Sequence, residues 1–146
     1  MLLADAAQAV GGKLYVLGGG WSVIGPAPAA MAIAMKIDVP WDQATVRHRW
    51  VLDLIDEDGH PVRTRPTGDP PSEEGRPEEG RPVQVSGNFE VGRPATVAEG
   101  TPIDLPLAIN FGPLLLPAGR RCVWRLSIDG LSDPDWQVAF DVRPRA

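Results

Sequence analysis

Apolar residues recur at every second position over long stretches of this chain, and a period of two sets side chains alternately on the two faces of a β-strand. Over 31–39, Met31, Ile33, Met35, Ile37 and Val39 share one face, and Ala32, Ala34, Lys36 and Asp38 share the other. Ile103, Leu105, Leu107, Ile109 and Phe111 alternate in the same way with Asp104, Pro106, Ala108 and Asn110. Pro106 has no N–H for a ladder, which places its strand at an edge or at a bulge. Three further segments repeat the pattern: Cys122, Trp124, Leu126 and Ile128; Trp136, Val138, Phe140 and Val142; Val83, Val85, Phe89 and Val91. One apolar and one polar face per strand is what antiparallel sheets packed on one side require.

The segment 46–56 is less tidy. His48, Trp50, Leu52 and Leu54 form one face, while Arg47, Arg49, Val51, Asp53 and Ile55 mix charge with aliphatics on the other. Asp58-Gly59 then signals a hairpin into a short strand at 62–65. Residues 40–44 read as one helical turn with Asp42 as a cap. The alanine-rich start, 2–9, has helical propensity, but Gly11-Gly12 and the strand-like 14–17 favour a hairpin, and strand is the reading adopted. Sixteen glycines and sixteen prolines argue against long helices. Residues 66–82 carry the tandem repeat EEGRP-EEGRP and no aliphatic or aromatic side chain except the valine that follows them. Such a stretch cannot offset its ordering entropy, and a mobile low-complexity loop is expected there. The sum is an all-β chain of about eight or nine strands with one short helical turn. It is read as a two-sheet antiparallel β-sandwich, immunoglobulin-like with Greek-key connections, forming a single domain over 1–146.

The net charge of −5 supplies no positive field for nucleic acid. Cys122 is the only cysteine, so no intrachain disulfide forms. The first ten residues lack a basic region and make a poor secretory signal, and no apolar run is long enough for a membrane-spanning helix. A cytoplasmic protein without membrane insertion is expected.

Several residues invite chemistry. Residues 12–19, GKLYVLGG, resemble one kelch motif, but a propeller needs several copies, so a hairpin strand ending in glycines is the better reading. His48 lies on an apolar face with no serine or cysteine motif beside it, and reads as a structural histidine. Asp56, Asp58, Asp133 and Asp135 suit turns and lack EF-hand spacing. Cys122 shares a strand face with Trp124 and reads as a core thiol. No catalytic, cofactor or metal site emerges. Arg47, Arg49, Val51, Ile55, Arg63 and Arg65 form the candidate protein interface, because arginine mixed with aliphatics suits a docking face. Trp21 and Trp41 fall near turns and are the candidate anchors for a ligand or partner.

Ala4-Asp5-Ala6-Ala7-Gln8, Gly18-Gly19-Gly20-Trp21, Val39-Pro40-Trp41-Asp42, Asp56-Glu57-Asp58-Gly59 and Leu116-Pro117-Ala118-Gly119-Arg120 resemble motifs of an uncharacterised family of small actinobacterial β-sandwich proteins. The resemblance implies a fold and carries over no activity. A non-enzymatic interaction or structural module is therefore expected, self-associating or joined to a protein partner. The alternative is a small-ligand or carbohydrate module using the loop-end tryptophans.

Overall fold

The computed structural model describes residues 1–64 and 80–146. Its strands are β1 (Leu2–Val10), β2 (Lys13–Gly19), β3 (Val23–Ile24), β4 (Ala29–Val39), β5 (His48–Asp56), β6 (Arg63–Thr64), β7 (Arg81–Pro82), β8 (Gln84–Phe89), β9 (Ile103–Leu114), β10 (Arg121–Ile128) and β11 (Leu131–Val142). The all-β expectation holds for the described residues; the strands number eleven where about eight or nine are expected, and eight of them exceed two residues. The helical turn at Trp41–Gln43 is 3₁₀, and Asp42 does not cap it: Pro40 stands at the N-cap with no side-chain bond.

Two larger sheets form. One has the order β2-β1-β4-β9 and the other β3-β11-β10-β5-β8, while β6 and β7 pair as a small third sheet. Pairing is antiparallel except for β3, which runs parallel to β11. Strand β9 is an edge, as Pro106 demands. The expected mobile loop at 66–82 falls outside the described residues, apart from its end, where Arg81 and Pro82 pair with Thr64 and Arg63.

Side chains of both large sheets meet in one core. Leu3, Met31 and Ile33 from the first join Leu52, Trp124 and Phe140 from the second. Phe111 of β9 stacks on Trp124 of β10 with ring centroids 4.5 Å apart, a contact that bridges the sheets. Gly87 lies directly across from Trp50, and a Cβ there would meet the indole at 2.7 Å, so this position makes room for the ring.

Two features depart from simple alternation. Alternation sets Ala32 and Ala34 on the face shared with Lys36 and Asp38, yet both are buried. Strand β1 pairs with β4 only at Leu2, Leu3 and Ala4. It then crosses toward β9, where the Ala7 N–H donates to Asn110 Oδ1 (3.1 Å) and Asn110 Nδ2 donates to the Ala7 carbonyl (2.8 Å). The crossing strand covers a cluster of Ala4, Ala7, Ala32 and Ala34, with Leu14 and Ala108 against it. Methyl side chains allow that close approach. The second departure is in β11. Between the pairs Arg125–Gln137 and Ser127–Ser132, the single residue Leu126 faces residues 133–136. This extended bulge, containing Pro134, takes Trp136 out of the core and leaves it 36% exposed.

Candidate functional site

The hairpin β1–β2 turns through Gly11 and Gly12, with φ of 58° and 75°. Both values belong to the two-residue turn that matches strand twist, and glycine adopts them without a Cβ clash. The sequence that follows, Leu14 to Leu17, is as apolar as a core strand. It is nevertheless the outer edge of its sheet. Tyr15 is 56% exposed, Val16 40% and Leu17 71%. Lys13 is the sole charge on the strand, at its first position, and the strand contains no proline. Charge and proline are the usual protections of a strand edge, and β2 has almost none.

His48 is the one buried polar side chain among the described residues, at 6% exposure. Its Nδ1 lies 2.6 Å from Asp129 Oδ2, and its Nε2 lies 2.8 Å from the Gln43 carbonyl oxygen. A carboxylate and a carbonyl only accept, so both ring nitrogens donate and the ring is held as an imidazolium. The Asp129 bond, followed by the Gln43 carbonyl, raises the His48 pKa above its ordinary value, against the opposing effect of burial. In return the His48 bond, followed by the Arg49 N–H, lowers the Asp129 pKa. Phe89 packs against the ring at 5.1 Å. Neither nitrogen keeps a free lone pair, so His48 cannot take a proton from a substrate as it stands. Asp129 sits 81 residues away in the β10–β11 turn, and nothing in the sequence signals the pair.

Cys122 is fully buried, and that burial, with Asp56 and Asp141 adding to it, pushes its thiol up to about 11. Such a thiol is a poor nucleophile at neutral pH. Asp56, Asp58 and His60 bring ligand atoms within 4.8 Å of one another. Asp56 Oδ1, however, accepts the N–H groups of Asp58 and His60 at 2.9 Å each, which is the bonding of the turn itself. Asp133 does the same for the Asp135 N–H. Asp56 pairs near Cys122 and Ser132 near Ser127, at opposite ends of β10, so the two aspartate turns do not converge.

The expected arginine–aliphatic face is not assembled as a patch. Arg49 is exposed, but Val51 is half-buried between Ser127 and Ser86 on the neighbouring strands. Ile55 is buried and bridges to Pro61, so it is not available for docking. Arg47 is exposed just before β5, Arg63 donates to the Gly80 carbonyl, and Arg65 lies outside the described residues. Polar bonds dominate the same face: Gln84 Nε2 donates to Asp53 Oδ1 at 2.5 Å, and Arg125 lies 3.7 Å from Asp53. Of the tryptophans, Trp21 packs edge-on against Phe140, with its Nε1 buried and lacking an acceptor among the described residues. Trp41 is half-buried beneath the Arg93 guanidinium, 4.9 Å from the ring centroid. Arg93 also donates to the Trp41 carbonyl at 2.8 and 3.2 Å. Trp41 lines a cleft of about 420 Å³ with Pro40, Pro102, Asp38 and Asp42.

The described residues form an all-β protein of open sheets, two of which share one core, with an exposed apolar strand at the edge of one of them. Residues 1–142 match a family of unknown function, DUF6941, and the chain belongs to that family. No curated protein and no solved structure matches it.

Proposed function

We propose that this protein is a non-enzymatic interaction module that self-associates through the β2 edge. The observation that carries the reading is the exposure of Tyr15, Val16 and Leu17 on a strand with one charge at its start. An antiparallel edge is self-complementary under a two-fold axis, so a second copy satisfies it without any further specialisation. Pairing would join two sheets into one continuous sheet. The immunoglobulin-like, Greek-key sandwich is part of this reading, supported by the Phe111–Trp124 stack between the sheets. The engaged His48 ring and the buried Cys122 thiol support the absence of catalysis. A cytoplasmic setting is part of this reading, and a single buried cysteine is compatible with it. Among the described residues no helix is long and apolar enough to cross a membrane. The ligand-binding alternative rests on Trp41 and its cleft, since Trp21 is taken up by Phe140.

Light scattering across a concentration series tests the proposal. The wild type is expected to dimerise. Burying Leu17 contributes about 1.5–3 kcal/mol per copy, so Leu17→Lys raises the dissociation constant by at least about tenfold. The thermal midpoint of the monomer stays unchanged, because Leu17 is exposed within one copy. A wild type that is monomeric at every concentration overturns the reading.

A further inference from the structure

Strand β4 has a second free edge, away from β2. Its residues 35–39 pair with β9 from Leu107 to Ile103 on one side. On the other side β1 reaches only Ala32, Ile33 and Ala34, and no described residue continues the ladder. In a strand, alternate residues turn both N–H and C=O toward the same side, so this edge presents unpaired backbone groups. The edge borders two adjoining hollows of about 220 and 270 Å³, which share Ile37, Asp38, Ile128 and Trp136. Met1, Met35 and Leu126 add apolar lining to the first, and Val39, Phe89 and Leu131 to the second. Trp136 stands there because the bulge at 133–136 takes it out of the regular ladder, and bulges of this kind re-aim side chains beside binding sites.

The charges around the groove specify the occupant. Asp38, Asp129 and Asp135 line it, and Asp42 lines the neighbouring cleft. Met1 borders the first hollow as well, and the two cationic side chains nearby are already committed. His48 holds Asp129, and Lys36 is shared between Asp38 (3.3 Å) and Asp104 (3.2 Å). Asp38 and Asp104 are directly opposite each other in the β4–β9 ladder, a like-charge pair served by one lysine. A cation on an added strand beside Asp38 would relieve that repulsion.

We propose that this groove is a docking site for an extended, basic segment of a partner protein. The segment adds to β4 as a strand lying end to end with β1. Its inward side chains are apolar and fill the hollow beside Ile37 and Trp136. Its outward side chains are basic and meet Asp38. Strand addition gives backbone bonds, and the alternate pockets give selectivity. A second copy of this chain is the poorer fit, because it carries the same acidic rim on a net charge of −5.

The test uses the full chain and a peptide of about seven residues alternating lysine and valine, capped at both ends, with a glutamate–valine peptide of equal length as the control. Hydrogen exchange and tryptophan fluorescence report binding. The basic peptide is expected to slow amide exchange within residues 35–39 and to change a fluorescence signal that Trp136→Phe removes. Pairing of exposed charges across the groove predicts about tenfold weaker binding of the acidic peptide, and a comparable loss for the basic peptide in Asp38→Lys combined with Asp135→Lys. Equal binding of both peptides overturns the proposal, as does protection confined to β2. Protection of residues 35–39 that appears on raising protein concentration alone assigns the groove to a second copy and overturns it too. The site is independent of the β2 edge. A dimer that ignores the peptide defeats only the groove, and a monomer that binds it defeats only the β2 reading.

Discussion

The hairpins β1–β2 and β10–β11 both turn through two residues of positive φ, Gly11-Gly12 in one and Asp129-Gly130 in the other. Their surroundings differ. Around Gly11 and Gly12 nothing lies within 4 Å of where a Cβ would be, and the strand that follows is exposed. At the second turn, Asp129 uses both carboxylate oxygens, one on His48 and one on the Arg49 N–H, and its own N–H donates to the Arg49 carbonyl. Strand β10, which enters this turn, buries Cys122, Trp124 and Leu126, and β11 beyond it is exposed at its start and buries Phe140 and Val142 near its end. Turn chemistry therefore decides that a hairpin forms. Whether the hairpin belongs to the core depends on what its turn and strands hold elsewhere. The first hairpin is anchored at the start of β1, where Leu3 enters the core and Leu2 to Ala4 pair with β4; beyond that it is held by Ala7 and by the Asn110 amide, which serves the Ala7 backbone in place of a neighbouring strand.

Trp124→Ala gives the largest test of this contrast. It empties a fully buried site and removes the stack on Phe111, and is expected to cost about 3–5 kcal/mol in a urea titration. The corresponding change in the first hairpin, Leu14→Ala, should cost much less, because Leu14 is only half-buried. Equal losses would erase the distinction between the hairpins.

Asn110→Ala is expected to cost about 1–2 kcal/mol, since it leaves the Ala7 N–H and carbonyl unsatisfied beside the alanine cluster. Amide exchange should accelerate across β1 and β2 and remain unchanged in β10. A uniform acceleration would show that the hairpin is part of one cooperative unit.

The smallest effect is a pH dependence of the second hairpin. The folded His48 pKa lies above 6.5, so its contribution is complete below that value and is lost as pH rises through the raised folded pKa. The folded Asp129 pKa lies below 3.8, so its contribution is present above 3.8 and is lost as pH falls through the depressed folded pKa. The pair's contribution to stability is complete between about 3.8 and 6.5. Stability should fall on either side, and Asp129→Asn should flatten both limbs. Thermal midpoints across pH, with the variant in parallel, check the sign.

Much of the fold was legible because alternation is a local property. Strands β4, β5, β9 and β10 lie close to where period two places them. The misplacements share a physical origin. Alanine satisfies either a wet or a close-packed face, so the burial of Ala32 and Ala34 depends on a strand crossing from elsewhere. Trp136 has the right parity for the core, but the bulge at 133–136 changes its surroundings. Ile55 looked outward until Pro61 covered it. The candidate edge was hidden for the opposite reason: Leu14 to Leu17 reads like an interior strand, and only sheet order shows that it lies outside.

Cys122 gives the molecule a built-in clock. Its side chain lies in the core shared by the two large sheets, with no second thiol to compete for a reagent. A thiol-directed label can reach it only when that core opens. The labelling rate therefore counts core openings, while the exposed end of the first hairpin can fray without advancing it.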